Sequence, residues 1–515
     1  MKKELIINMI AQVFMFAVNL GISFFLVPYI TKIIGVEAYG FVGLANDFVG
    51  YAQIITIAIN SMAARFITIK IHENKIKEAN KNYSSVILSN LLISVVLGLA
   101  GIVFISFMEY FIDIPKTLVL DVKLLFSFIF ANFIISIMTS TFSVATFCTN
   151  KLYLTSIKTI ISQILRVIIL FAAFLFFKPS VFYVGLAALA STAYLGYCNY
   201  KYSKTLTPEL KISKKYFEFK YIKTLISSGI WNTFSRISGI LSSGLDLLIS
   251  NLFIGSTGMG IISLSKTIPN TILNAFGTIT NVFNPELTIS YAKKDYEDMK
   301  RQLLFAIKLL GLIAAIPMVG LIVYGQDFYR LWVPTQNASI LYNLTVISIV
   351  GLSFCLPLEP LWNIFTVTNK VKQSSIYLIS NSIITILVVF VLLNIFPNGN
   401  IRMYIIVSVS VVFTILRSLT FLPLYGAKCL NMKLTTFYPN IYKNIIVIVI
   451  SSLILYFIKI VVPITSWMSL MISAAFATII ILLISSTIIL DCNDREKIYD
   501  KIIKPNKRRS KNENK

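Results

Sequence analysis

Apolar runs of roughly 20 residues, each long enough to cross the hydrocarbon core of a bilayer, follow one another along the whole chain, separated only by short polar turns. The pattern predicts helices at 5–32, 38–66, 83–108, 119–147, 155–177, 181–200, 222–251, 257–285, 302–325, 339–367, 373–395, 401–424, 441–462 and 467–490, about fourteen spans. No polar stretch between them is long enough for a soluble domain. Lys2, Lys3 and Glu4 precede the first run. That run is too long for a signal peptide and lacks a small-residue cleavage site, so it reads as a retained first helix. The expected fold class is an all-α polytopic membrane protein.

Composition agrees: of 515 residues, 57% are hydrophobic and 13% charged, too little polar surface for a soluble chain of this size. The distribution of charge then sets an orientation. Of 46 lysines and arginines, only Lys32, Lys116, Lys123, Lys178, Arg330, Arg402 and Lys459 fall between spans on one side. Most of the rest fall in loops on the other side and in the tail. Cytoplasmic loops of membrane proteins collect lysine and arginine, which places both termini in the cytoplasm and makes the number of spans even. A net charge of +24 carried in short loops points to anionic membrane lipid rather than nucleic acid. The tail, with Lys507, Arg508 and Arg509, is polar throughout and reads as disordered.

Cysteine and histidine exclude other chemistries. Cys148, Cys198, Cys355, Cys429 and Cys492 form no CxxC pair, so neither a disulfide framework nor a structural metal site is indicated. His72 is the one histidine, which leaves no histidine cluster. Walker A, HExxH, DxD and GxSxG patterns are absent. An enzyme is not expected, nor a metal or organic cofactor.

The sequence repeats itself. Ile34-Gly35-Val36-Glu37-Ala38-Tyr39-Gly40, with Leu44 following, matches Ile254-Gly255-Ser256-Thr257-Gly258-Met259-Gly260, with Leu264 following. The offset is 220, and it also carries the charged loop 70–82 onto 290–302. Six spans separate the copies, so the repeat is parallel, about an axis along the membrane normal. This predicts two pseudo-symmetric six-helix lobes, 1–212 and 213–430, then two additional spans over 431–490 and a basic tail over 491–515.

Polar positions within the spans form stripes at helical spacing. In the seventh span Asn232, Arg236, Gly239, Ser243, Asp246 and Ser250 fall within roughly 80° of one another. In the eighth, Ser263, Lys266, Thr267, Asn270, Asn274, Gly277 and Asn281 do likewise. Asn8, Gln12, Asn19 and Ser23 stripe the first span. Asn46, Gly50, Gln53 and Asn60 stripe the second, with Asp47 about 100° away. Singly, such residues serve as glue between helices. As four stripes in repeat-matched spans, they predict the lining of a polar cavity.

Arg236, Lys266 and Arg166 put cations inside spans, where charge is expensive unless paired or bound to an anion. Two readings stay open. The cations meet an anionic substrate group such as a pyrophosphate, or they pair between helices, for example Lys266 with Asp47 or Asp246. Asp47, Asp246 and Glu359 are the acidic candidates for coupling to Na⁺ or H⁺. Glu359 lies between Pro357 and Pro360, where a helix should kink and free carbonyls; the alternative is a carboxylate near headgroups at a helix end.

The stretch from Ile34 to Gly40 leading to Asn46-Asp47, then Trp231-Asn232, then Gly244-Leu245-Asp246-Leu247-Leu248-Ile249-Ser250-Asn251 before Phe253-Ile254-Gly255, resembles the Wzx-type polysaccharide flippases. These belong to the MOP superfamily, which also holds the MATE exporters and the MurJ lipid II flippase. The resemblance in layout spans nearly the whole chain. It implies a central cavity that alternates between inward-open and outward-open. It also implies an undecaprenyl-pyrophosphate-linked oligosaccharide as substrate, moved to the outer leaflet of the bacterial cytoplasmic membrane, with other polysaccharide assembly proteins as partners. On it, Arg236, Lys266 and Arg166 meet the pyrophosphate, and Asn232, Asn270, Asn274, Asn46, Gln53 and Asn19 meet sugar hydroxyls. A cation-coupled drug exporter would carry a more acidic and aromatic cavity. The dense arginine cluster of lipid II flippases is missing from the first two spans. A polysaccharide polymerase or ligase would need a large external loop, and the loops here are short.

Overall fold

The computed structural model describes residues 2–241, 245–281, 283, 287, 290–291, 294–368 and 370–491. The helices are α1 (Lys2–Ile34), α2 (Val36–His72), α3 (Ile76–Phe107), α4 (Val119–Ser140), α5 (Val144–Cys148), α6 (Leu152–Phe176), α7 (Phe182–Leu206), α8 (Phe219–Gly239), α9 (Asp246–Ile254), α10 (Ser256–Asn281), α11 (Tyr296–Trp332), α12 (Ala338–Cys355), α13 (Pro360–Val367), α14 (Val371–Ile395), α15 (Gly399–Leu419), α16 (Phe421–Cys429), α17 (Tyr438–Val461) and α18 (Trp467–Ile488). The described residues contain no strand. Eleven helical segments among them are long and apolar enough to cross a membrane, so the chain is a multi-pass, all-α membrane protein. The spans expected at 181–200, 222–251 and 257–285 fall on α7–α10, which lie outside those eleven. Two of these three spans hold the densest polar stripes, and that polarity is what lowers their affinity for lipid.

Three expected spans are not described as single α-helices. The span at 222–251 is described as α8 and α9, and the tenth span breaks at a 3₁₀ turn, Leu356–Leu358, containing Pro357. Proline removes a donor and its ring crowds the preceding turn. The fourth span breaks at a similar turn, Thr141–Ser143, without proline.

The offset of 220 recurs in backbone geometry. Gly35 and Gly255 both adopt positive φ, 85° and 97°, a region open to glycine because it lacks Cβ. Gly35 N–H donates to Thr31 C=O and Gly255 N–H to Asn251 C=O. Just past the end of α2, and at the matching position just before α11, Asn74 and Lys294 are both left-handed, with φ 58° and 59°. Lys75 N–H reaches Lys70 C=O at 3.0 Å, and Asp295 N–H reaches Ser290 C=O at 3.0 Å. This is the Schellman closure that satisfies the last carbonyls of a helix. A third turn recurs at an offset of 219: Lys151 N–H to Thr146 C=O and Lys370 N–H to Phe365 C=O, each 2.8 Å, each donor being the last residue of a Thr-Asn-Lys triplet (149–151 and 368–370).

The chain separates into two compact units, Met1–Leu264 with Ser375–Ile406, and Ser265–Ser374 with Val407–Lys515. These units follow packing, whereas the 220 offset follows sequence, and their boundaries differ from 212 and 430. In the first unit a core of Ile59, Ile67, Tyr83, Val86, Ile222 and Leu225 joins α2, α3 and α8. In the second, α11 packs along α17 and α18 through Leu310, Met318, Val447, Leu455 and Ile481. Charged contacts hold α11 at two places. Asp327 meets Lys459 at 2.6 Å and Arg330 at 3.0 Å, and Lys308 meets Asp491 at 2.6 Å.

Candidate functional site

The sequence-predicted polar residues of the first unit gather where α2 meets α8 and α9. Close approach makes this possible. A Cβ on Gly229 of α8 would lie 2.1 Å from Ala58 C=O of α2, so only glycine fits. Small residues at such crossings let helix backbones touch. Two turns further along α8, Arg236 reaches back across α2, and its Nη2 donates to Gln53 Oε1 at 3.3 Å. Gly50 lies beneath the guanidinium: a Cβ added there would lie 3.2 Å from Arg236 Nη2. Arg236 is exposed, and among the described residues no carboxylate lies within ion-pair distance of it. Arg166, on α6, is half-buried and likewise has no such carboxylate; the group acting on it is the Tyr39 phenol.

The acidic residues sit nearby on the same elements. Asp47 is half-buried on α2, and Asp246 is buried at the start of α9. Both lie within electrostatic reach of Tyr51. Each makes further interactions of its own. Asn46 is exposed, with its amide donating to Val42 C=O one turn back at 2.7 Å. Asn19 on α1 is half-buried and its Oδ1 has no hydrogen-bond partner among the described residues. The Asn232, Gln12 and Ser243 side chains lie outside the described residues.

Lys266, Asn270 and Asn274 belong to the second unit, on α10. Lys266 is half-buried and partnered; Asn270 and Asn274 are exposed. Glu359, also in the second unit, follows the broken turn of the tenth span, and Cys355 Sγ donates to its Oε1 at 3.7 Å. Arg417 stacks over Trp362, one turn beyond Glu359, at 5.7 Å.

Part of each first-lobe stripe is glue. Asn8 donates to Asn150 C=O at 2.9 Å and accepts from Tyr153 N–H at 2.9 Å, locking the α5–α6 turn onto α1. Asn60 and Asn90 exchange reciprocal amide bonds, 3.2 and 2.9 Å, between α2 and α3.

The sequence did not assign to the site the residues that close one end of it. Glu37 accepts from Ser256 and, at 3.5 Å, from Thr257. Gly40 lies against Gly260, and Ser263 against Gly43. Asn251 and the Asp113 backbone bond in both directions, each at 2.9 Å. The signal was present in the repeat itself, since Glu37 and Thr257 are matched positions, as are Gly40 and Gly260.

The fold is similar to those of solved transporters of the MOP superfamily. The structure is similar to a multidrug resistance MATE family transporter of that superfamily in an inward-facing conformation. Sequence identity is 14% with a TM-score of 0.66, over 78% of this chain and 93% of that one. It is also similar to the lipid II flippase MurJ in an inward closed conformation, 15% identical with a TM-score of 0.62, over 97% and 100% of the two chains. In sequence it is similar to the uncharacterized membrane protein EpsK of Bacillus subtilis (strain 168), 28% identical over 469 residues, 90% of this chain and 91% of that one. Residues 3–288 match the family of polysaccharide biosynthesis proteins, and the chain belongs to that family.

Proposed function

We propose that the protein is a flippase that carries an undecaprenyl-pyrophosphate-linked oligosaccharide from the inner to the outer leaflet of a bacterial cytoplasmic membrane by alternating access. The observation that carries this reading is Arg236, a cation in a polar span whose hydrogen-bond partner is the neutral Gln53 amide rather than a carboxylate. An unneutralised guanidinium in a membrane helix is stabilised by an anionic ligand, and pyrophosphate oxygens accept its paired N–H donors. Arg166 supplies a second such cation on α6. Lys266, on α10 in the second unit, is assigned to an anionic group of the cargo as well. The family's link to polysaccharide biosynthesis and the likeness in fold to a lipid II flippase support a lipid-linked sugar as cargo.

Side-chain amides complete the assignment. Asn46, Gln53, Asn270 and Asn274, together with Asn19 and Asn232, meet sugar hydroxyls, which both donate and accept. Asp47, Asp246 and Glu359 are assigned to a coupling Na⁺ or H⁺. Both termini are placed in the cytoplasm by the lysine bias. The chain acts as a carrier and not as an enzyme, with no cofactor.

The test is flipping in proteoliposomes of a fluorescent undecaprenyl-pyrophosphate-linked oligosaccharide. Arg236→Gln and Arg166→Gln are expected to slow transport at least tenfold with unchanged thermal unfolding, roughly the loss of one charge-assisted contact. In cells, deletion of the gene should trap the lipid-linked oligosaccharide on the inner leaflet and abolish surface polymer. Wild-type flipping by both variants would overturn the assignment. Normal surface polymer in the deletion, with new drug sensitivity, would favour a cation-coupled exporter, the reading that the Asp47 and Asp246 carboxylates would then serve.

A further inference from the structure

The segment joining α7 to α8 is held in place along its whole length. Asn80 on α3 donates to Glu209 C=O at 3.1 Å and accepts from Lys211 N–H at 2.6 Å. One turn on, Ser84 Oγ donates to Lys211 C=O and accepts from Ser213 N–H. Ser85 accepts from Glu218 N–H at 3.0 Å. Leu210 is buried in the α2–α3–α8 core. Side chains of one helix thus satisfy the backbone polar groups of a non-helical stretch, and its outward side chains are displayed in a fixed arrangement.

What they display is both apolar and basic. Around Glu218 the backbone is extended, with ψ 121° at Phe217 and φ −136°, ψ 123° at Glu218. Successive side chains of an extended segment point to opposite faces. Glu218 turns toward α3, where Lys81 neutralises it at 2.6 Å. Phe217 and Phe219 turn the other way, 42% and 68% exposed, and Ile212 is 42% exposed. Neither ring stacks on another among the described residues, and exposed aromatic side chains settle at a bilayer interface. Between and beside them Lys211, Lys214, Lys215, Lys220 and Lys223 are all exposed, and among the described residues none of these five is in an ion pair. Lys214 and Lys215 occupy a 3₁₀ turn that Ser213 Oγ caps at 3.3 Å.

We infer that residues 211–223 form a docking site for anionic glycerophospholipid headgroups of the inner leaflet, the lysines meeting phosphates while Ile212, Phe217 and Phe219 enter the interface. Charge complementarity selects this occupant over neutral lipid. Each lysine beside an anionic surface contributes roughly a fivefold gain in affinity. The inference rests on the orientation proposed above and not on the transported cargo.

Thermal unfolding of the full-length protein in neutral detergent micelles, titrated with phosphatidylglycerol or phosphatidylcholine, tests it without any transport assay. Phosphatidylglycerol should raise Tm to a plateau, and phosphatidylcholine should not. The triple variant Lys211→Gln, Lys214→Gln, Lys215→Gln should need roughly a hundredfold more phosphatidylglycerol for half the shift. Lys428→Gln with Lys433→Gln, elsewhere on the surface, should respond as wild type. If the triple variant does not fold, Lys220→Gln with Lys223→Gln should show a smaller loss of the same kind. High salt should abolish the wild-type response. A wild-type response in the triple variant, an equal response to phosphatidylcholine, or a response to inorganic pyrophosphate in place of phosphatidylglycerol would each overturn the inference.

Discussion

Gly40 and Gly260 stand at matched positions of the two repeat copies, and they meet: a Cβ on Gly40 would lie 2.8 Å from the Cα of Gly260. The two glycine turns of the sequence repeat therefore pack on each other, with Glu37 bonded to Ser256 and Thr257 beside them. A Cβ on Gly260 would meet Val36 C=O at 2.4 Å. Backbone on both sides leaves nothing flexible to yield.

The first expectation concerns that contact. Gly260→Ala should destabilise the protein by about 1–3 kcal/mol, the usual effect of overpacking a tight interface. Gly21→Ala, where nothing lies within 4 Å of the added carbon, should be neutral or mildly stabilising, since alanine favours a helix. Differential scanning fluorimetry of both in detergent gives the comparison, and equal Tm values would contradict it.

Arg402 closes two helix ends at once. Its Nε donates to Phe396 C=O, Nη2 to Leu393 C=O and Nη1 to Phe253 C=O, at 2.9, 3.1 and 2.7 Å. Arg402→Ala leaves these carbonyls unmet and should lower stability by about 2 kcal/mol. Arg402→Lys should recover little, because a point charge cannot reproduce the fork. A Tm for the lysine variant equal to wild type would show that charge alone suffices.

The Asn60–Asn90 pair is expected to matter for stability and not for cargo. Asn90 is fully buried and also donates to Thr141 Oγ1 at 3.3 Å. Polar contacts between membrane helices average about 0.6 kcal/mol, with a maximum near 1.7 kcal/mol. Asn90→Ala should fall near the upper figure. Transport per folded molecule should stay unchanged; a drop in it at constant Tm would return these amides to the cavity lining.

The Asp491 carboxylate lies between Lys308 and Lys443, at 2.6 and 3.6 Å. The hydrogen bond and charge of Lys308 hold its pKa below the usual carboxylate value. Its contribution is thus complete above about pH 4 and disappears as the pH falls through the lowered folded value. Asp491 is well exposed, so the contribution stays under about 1 kcal/mol. The Tm difference between wild type and Asp491→Asn should be flat from pH 5 to 7 and shrink at lower pH. A difference that grows on acidification would mean that the ion pair is not its source.

The helices were legible because spacing of apolar residues in lipid leaves few alternatives. The breaks were only partly legible. Pro357 announced the turn in the tenth span, whereas the turn at Thr141 in the fourth span has no proline to announce it. The repeat was legible at Gly35 and Gly255, where positive φ demands glycine. It was hidden at Asn74 and Lys294, since two different residues take the same left-handed turn. Among polar residues, periodicity placed Gln53 and Arg236 on helices that do meet. It could not separate them from Asn8 and Asn60, because a stripe facing a neighbouring helix and a stripe facing water have the same spacing. The Asn80, Ser84 and Ser85 clamp was invisible for another reason. Its partners are backbone groups of residues 209–218, and those groups leave no mark in a sequence.

That clamp has a mechanical meaning. The stretch between α7 and α8 is no slack tether, for its amides and carbonyls are stapled to α3. A stapled join cannot serve as a hinge. Whatever swing the molecule performs, the Phe219 end of α8 travels with α3 as one lever arm, and the bending has to take place elsewhere in the chain.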